Sequence, residues 1–190
     1  MNAKHKLFFA ALLGFAVTGV ALAQPTAFDL ARKGDAYIGV QSKDRVVQIR
    51  SDKSIASLTP NIWYVVYYDP DAMLKCVEVK FGAGEKMNVS HPMRPFQIPT
   101  SEREILDSSK LKVDSDKALK IAESQPLLKD LTLKASKLTL NHSDGGPVWK
   151  VQLWAARLKN PKNDADVGVV FISATDGSVT KSDLHPNKVD

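Results

Sequence analysis

The spacing of hydrophobic and polar residues changes several times along this chain, and each change marks an element. Ile62 to Tyr68, Ile-Trp-Tyr-Val-Val-Tyr-Tyr, is a near-continuous run of β-branched and aromatic residues stopped by Asp69-Pro70-Asp71, and it predicts a strand. Val77, Val79 and Phe81 then alternate with polar residues as far as Gly82-Ala83-Gly84, which predicts a second strand and a turn, with Met87-Asn88-Val89 as a short return strand. Upstream, Val46, Val47 and Ile49 place another strand within Arg45 to Arg50. Ahead of all of these, Thr26 followed three residues later by Asp29 resembles a capping box, so a helix is expected to start near Ala27 and to end within about a dozen residues.

The second half repeats this order. Asp114-Ser115-Asp116 supplies cap candidates, and Ala118, Ile121 and Ala122 share one helical face, with a break expected near Pro126. Leu131, Leu133 and Ala135 alternate in one register and Leu138 and Leu140 in the other, which predicts a bulge near Ser136-Lys137. Asp144-Gly145-Gly146-Pro147 turns the chain into a strand carrying Trp149, Val151 and Leu153. Val167 to Ile172 forms the next, and Thr175-Asp176-Gly177 turns into Val179. Between the halves, His91 to Thr100 holds Pro92, Pro95 and Pro99, so neither helix nor central strand can run through it. The fold class expected is α+β, as tandem units of one helix and an antiparallel meander: 24–90, a proline-rich connector 91–100, and 101–190. The expected core is Trp63, Val65, Val77, Val79, Ile121, Trp149, Val151 and Phe171.

The second half resembles the PepSY family, small exported domains in which a helix packs on a curved antiparallel sheet as in cystatins. Val113 to Ala122 is similar to that family's opening helix, Val148-Trp149-Lys150-Val151 to its aromatic strand, and Phe171 to Val179 to its closing strand, turn and strand. Ser173 stands where the family often carries an acidic residue. The first half is similar in element order alone. The resemblance implies a binding or inhibitory module of the cell envelope, not an enzyme.

Residues 1–23 read as a secretory signal peptide. Lys4 and Lys6 precede an apolar run from Leu7 to Ala21, and Ala21-Leu22-Ala23 offers a small-x-small cleavage site before Gln24. An exported protein, periplasmic or secreted, with no stable membrane insertion after cleavage, is therefore expected. The formal charge is +5, and two of those charges leave with the leader. Lysines are spread among acids with no dense basic run, so a nucleic-acid partner is not expected. The single cysteine, Cys76, excludes an intrachain disulfide, and alternation puts it opposite the apolar set or in a minor core.

Candidate chemistry is sparse. His91, His142 and His185 fall in loops without zinc-ligand spacing, no Gly-x-Ser-x-Gly elbow occurs, and the cystatin-type loop Gln-x-Val-x-Gly is absent. The acidic loops Asp69-Pro70-Asp71 and Asn160 to Asp166 are explained by turn chemistry. Asn88-Val89-Ser90 and Asn141-His142-Ser143 are glycosylation triplets. No catalytic, metal or cofactor site is expected. The feature with functional promise is the aromatic strand: Trp63, Val65 and Tyr67 can face a core while Tyr64 and Tyr68 face the other way, and that second face must be covered by something. Packing between the halves would cover it, and so would a protein or peptide bound by Tyr64, Tyr68 and Trp154. An exported binding module is the preferred reading. The alternatives are a small hydrolase or ligand-processing enzyme, which would need titratable groups meeting in a pocket, and a structural envelope protein.

Overall fold

Thr26 opens the first helix as its spacing requires: its hydroxyl accepts from the Asp29 amide at 3.3 Å while the Asp29 carboxylate accepts from the Thr26 amide at 3.0 Å. In the computed structural model, which describes residues 24–93, 99 and 101–190, this helix is α1, Ala27–Gly34. The leader expected over 1–23 and, within the connector, residues 94–98 and 100 lie outside the described residues. Four strands follow: β1 Val46–Ser51, β2 Ile62–Tyr68, β3 Cys76–Gly82 and β4 Glu85–Ser90. Helix α2, Ser115–Glu123, precedes β5 Leu133–Ser143, β6 Gly146–Ala156, β7 Asp164–Ser173 and β8 Val179–Leu184. The fold is α+β.

The eight strands form one antiparallel sheet in the order β4-β3-β2-β1-β5-β6-β7-β8. The expectation of one sheet per half is thus corrected: β1 and β5 pair, so the two meanders share a sheet and meet edge to edge, not face to face. The ladder at this seam is short, Gln48 opposite Asn141, Ile49 opposite Leu140 and Arg50 opposite Thr139. Beyond it the strands separate and serines continue the bonding. The Leu138 amide donates to Ser51 Oγ at 2.9 Å and the Ser136 amide to Ser54 Oγ at 2.8 Å, while the Ser54 amide donates to the Ser136 carbonyl at 2.8 Å. Buried backbone donors need partners, and these hydroxyls supply them where strand spacing no longer can.

Both helices lie on one face of the sheet, with their N-termini together. Asp114, the N-cap of α2, also accepts from the Phe28 amide of α1 at 3.2 Å, and Ser115 Oγ accepts from the Ala27 amide at 3.0 Å. Two positive helix ends facing each other repel, and the shared carboxylate between them offsets that. Beneath them lies the main core, with Leu30, Ala118, Leu119 and Ala122 from the helices over Ile49, Val65, Val79, Leu138, Trp149, Val151 and Ile172 from the sheet. Trp149 is its centre, stacked on Phe28 at 6.1 Å between ring centroids and donating from Nε1 to the Val113 carbonyl at 2.8 Å.

Two expected core residues are placed differently. Ile121 packs against the main core but is only half-buried, because α2 turns Ala118, Leu119 and Ala122 fully inward. Phe171 points to the opposite face, because Val170 and Ile172 take the inward positions. A bulge before Gly168 sets that phase: Leu153 pairs with Gly168 and Trp154 with Asp166. Gly168 has φ +116°, and a Cβ there would fall 2.1 Å from the Asp183 carbonyl oxygen, so only glycine fits this close approach of β8. The β5 bulge lies at Lys134, earlier than expected. Ser136 takes an inward position, its hydroxyl donating to the Leu58 carbonyl, so the phase of Leu138 and Leu140 extends back to it unbroken.

Candidate functional site

The helices leave the other face of the sheet open, and it is covered at one end by the chain itself. Ile105, just after the connector, and Leu74 pack on Val47, Val66 and Cys76, and the Leu106 amide donates to the Val46 carbonyl at 2.7 Å. Tyr68 belongs to this patch, its ring under the Arg45 guanidinium at 4.8 Å, and Arg45 pairs in turn with Glu102. Cys76 is a free, buried thiol in the same small cluster. Burial, with Glu78 and Asp69 nearby, pushes its pKa up, which disfavours the nucleophilic thiolate.

The rest of the face is open and ordered by strand register. Lys80, Tyr64, Arg50 and Thr139 stand opposite one another from β3 to β5, and the row continues through Lys150, Phe171 and Lys181 on β6, β7 and β8. Cations therefore fall on every second strand. Arg50 lies 4.0 Å and Lys80 5.2 Å from the Tyr64 ring centre, and Lys181 lies 5.7 Å from that of Phe171. Tyr64 is part-exposed and donates from Oη to Asp52 at 3.0 Å, so the ring is held upright between its two cations. Arg50 also pairs with the mostly buried Glu78.

Trp154 opens on the same face nearer the seam's far end, part-exposed, with Lys53 Nζ 4.6 Å from its ring. Lys53 also pairs with Asp164 at 2.8 Å. The structure thus separates the three residues singled out from sequence. Tyr64 and Trp154 share the open part of the face, while Tyr68 lies in the patch covered by Ile105 and bordered by Arg45 and Glu102. Spacing along the chain could not show that Lys80, Lys150, Phe171 and Lys181 share one row with Tyr64, because the row exists only in the register; alternation against Val79 and Trp149 is the signal that places Lys80 and Lys150 on this face, whereas Phe171 lies in an apolar run without that signal.

On the helix side, a cleft of about 310 Å³ lies between α1 and the segment after the connector, floored by Phe28, Val46, Ile49 and Leu106. Asp35 and Asp44 meet at its rim, where the Asp44 amide, held at φ 58°, donates to Asp35 Oδ1 at 3.1 Å. Burial raises the pKa of Asp35. Tyr67 Oη donates to the Ala31 carbonyl at 2.6 Å, and burial pushes its ionisation well up.

The acidic loops are engaged internally. Asp69 accepts from the Asp71 amide at 3.0 Å, and Asp166 accepts from the Gly168 amide at 2.9 Å and from Gln152 at 2.6 Å. Among the described residues no group of three or more potential ligands is placed to hold a metal, and no helix is long and apolar enough to cross a membrane. His91 and His185 lie beside Asp69 and Asp183, at 3.8 Å and 3.1 Å. Comparison with family models, curated proteins and solved structures returns no match.

Proposed function

We propose that this chain is an exported, non-catalytic binding module of the cell envelope, built from tandem PepSY-like, cystatin-like units, and that it grips a protein or peptide on the open face of its sheet. The order of strands outward from the seam, with a helix ahead of each run of four, supports the tandem reading. The observation that carries the binding reading is the pair of part-exposed aromatics, Tyr64 and Trp154, each fixed by cation contacts on the face opposite α1 and α2. Large, rigid, amphipathic rings lose little entropy on contact and serve as interface anchors.

The test is affinity capture from the envelope of the source cell with the mature chain and with a Tyr64→Ser/Trp154→Ser variant of unchanged circular dichroism. Capture of one partner that the variant loses is expected. Equal capture by both proteins contradicts the reading.

The cleft beside α1 favours a second reading, a ligand-processing enzyme, because two carboxylates meet there above an apolar floor. On that reading Asp35→Asn abolishes turnover of a ligand held in the cleft, and the open face is dispensable.

A further inference from the structure

We propose that the partner's contact is an acidic, extended stretch of polypeptide laid across the strands along the row from Lys80 to Lys181; this rests on the open face being the binding surface. Four cations, Lys80, Arg50, Lys150 and Lys181, stand in this row with Tyr64, Thr139 and Phe171 between them and no carboxylate in line. Among the described residues, Lys80, Lys150 and Lys181 have no carboxylate within ion-pair distance, whereas Arg50 has Glu78. No carboxylate therefore neutralises them, although Lys80 and Lys181 also stand over the Tyr64 and Phe171 rings, and Lys150 and Lys181 are exposed.

Spacing narrows the ligand. Neighbouring strands lie roughly 4.8 Å apart, so cations on alternate strands are about 10 Å apart. A polyproline-II segment rises about 3.1 Å per residue with three residues per turn, so acids at every third position recur on one edge about every 9 Å. Such a segment sets a carboxylate at each cation and its intervening residues against Tyr64 and Phe171. Acids border the row on both sides, Glu78 on one and Asp52 and Asp183 on the other, about two residues away along their strands. A phosphate polymer, charged at every unit and on all sides, meets these acids. A peptide with its charge on one edge does not, and this favours polypeptide.

The experiment is fluorescence anisotropy with a labelled peptide of Glu-Pro-Pro repeats at low salt, where screening is weak. The proteins are the mature chain, K80Q/K150Q/K181Q, and a charge-matched control, K117Q/K120Q/K129Q, whose lysines are exposed on and just after α2. Binding by the mature chain, about tenfold weaker in the row variant and unchanged in the control, is the expected result. Equal weakening by both variants, absence of binding, or binding of oligothymidylate as tight as that of the peptide overturns it. If the peptide fails while capture still depends on Tyr64 and Trp154, the acidic chemistry falls and the binding face stands. Capture indifferent to those aromatics removes both.

Discussion

Replacing Trp149 tests the core most sharply, because this one side chain joins β6 to both helices. It is fully buried, stacks on Phe28 of α1 and donates to the Val113 carbonyl just ahead of α2. Trp149→Ala leaves a large void and an unpaired carbonyl. Truncating a buried aromatic of this size costs about 3–5 kcal/mol. In a chain of this length each kcal/mol moves the melting temperature by roughly 2–4 °C, so a fall of around 12 °C is expected by calorimetry. Trp149→Phe keeps one aromatic ring at the site but loses the rest of the indole with its Nε1–H bond, so a smaller void is added to the cost of about 1–3 kcal/mol for leaving the Val113 carbonyl unsatisfied. Lys150→Ala, one residue on but on the open face, is expected to be neutral. A Trp149→Ala protein that melts within about 2 °C of its parent, or a Lys150→Ala protein that falls as far, refutes this placement of the core.

The remaining predictions concern single groups. Asp114→Ala removes one carboxylate serving both helix N-termini, and loses about 1–2 kcal/mol, with faster amide exchange at Phe28 and Ser115 together; a change confined to α2 contradicts the shared cap. Asp176 is held down to about 2, chiefly by the Ser178 amide, with the Ser173 and Ser178 hydroxyls adding to it. Because its folded value lies below the unfolded one of about 4, the stability it lends the β7–β8 turn is present above that value and lost as pH falls towards 2; an NMR titration midpoint near 4 refutes this. Cys76 is expected to react with Ellman's reagent only on unfolding, so rapid labelling of the native protein contradicts its burial beneath Ile105.

The elements were legible in the sequence because their signals are local. Ile62 to Tyr68 is a strand over the same residues that its apolar run marks, and Thr26 and Asp114 cap the helices they were expected to cap. What stayed hidden is set by pairing. That β1 joins β5 depends on which edges remain free once each meander forms, and nothing within Arg45 to Arg50 states it. Phe171 sits in an apolar run whose two phases look alike from sequence, and only the bulge at Gly168 decides that Val170 and Ile172 turn inward. The break in β5 was misplaced because Ser136 is polar yet buried, bonded to Leu58 across the seam. The row on the open face combines seven strands, so no stretch of sequence contains it.

Side-chain oxidation footprinting of the captured complex against the free chain reads directly which surface a partner touches. Tyr64, Trp154 and Phe171 are expected to be protected in the complex, with Tyr37 and Leu127, exposed away from the open face, oxidised at the same rate in both states. Protection at Phe28 and Tyr37 with none at Tyr64 and Trp154 would place the partner on the helix side and contradict the account.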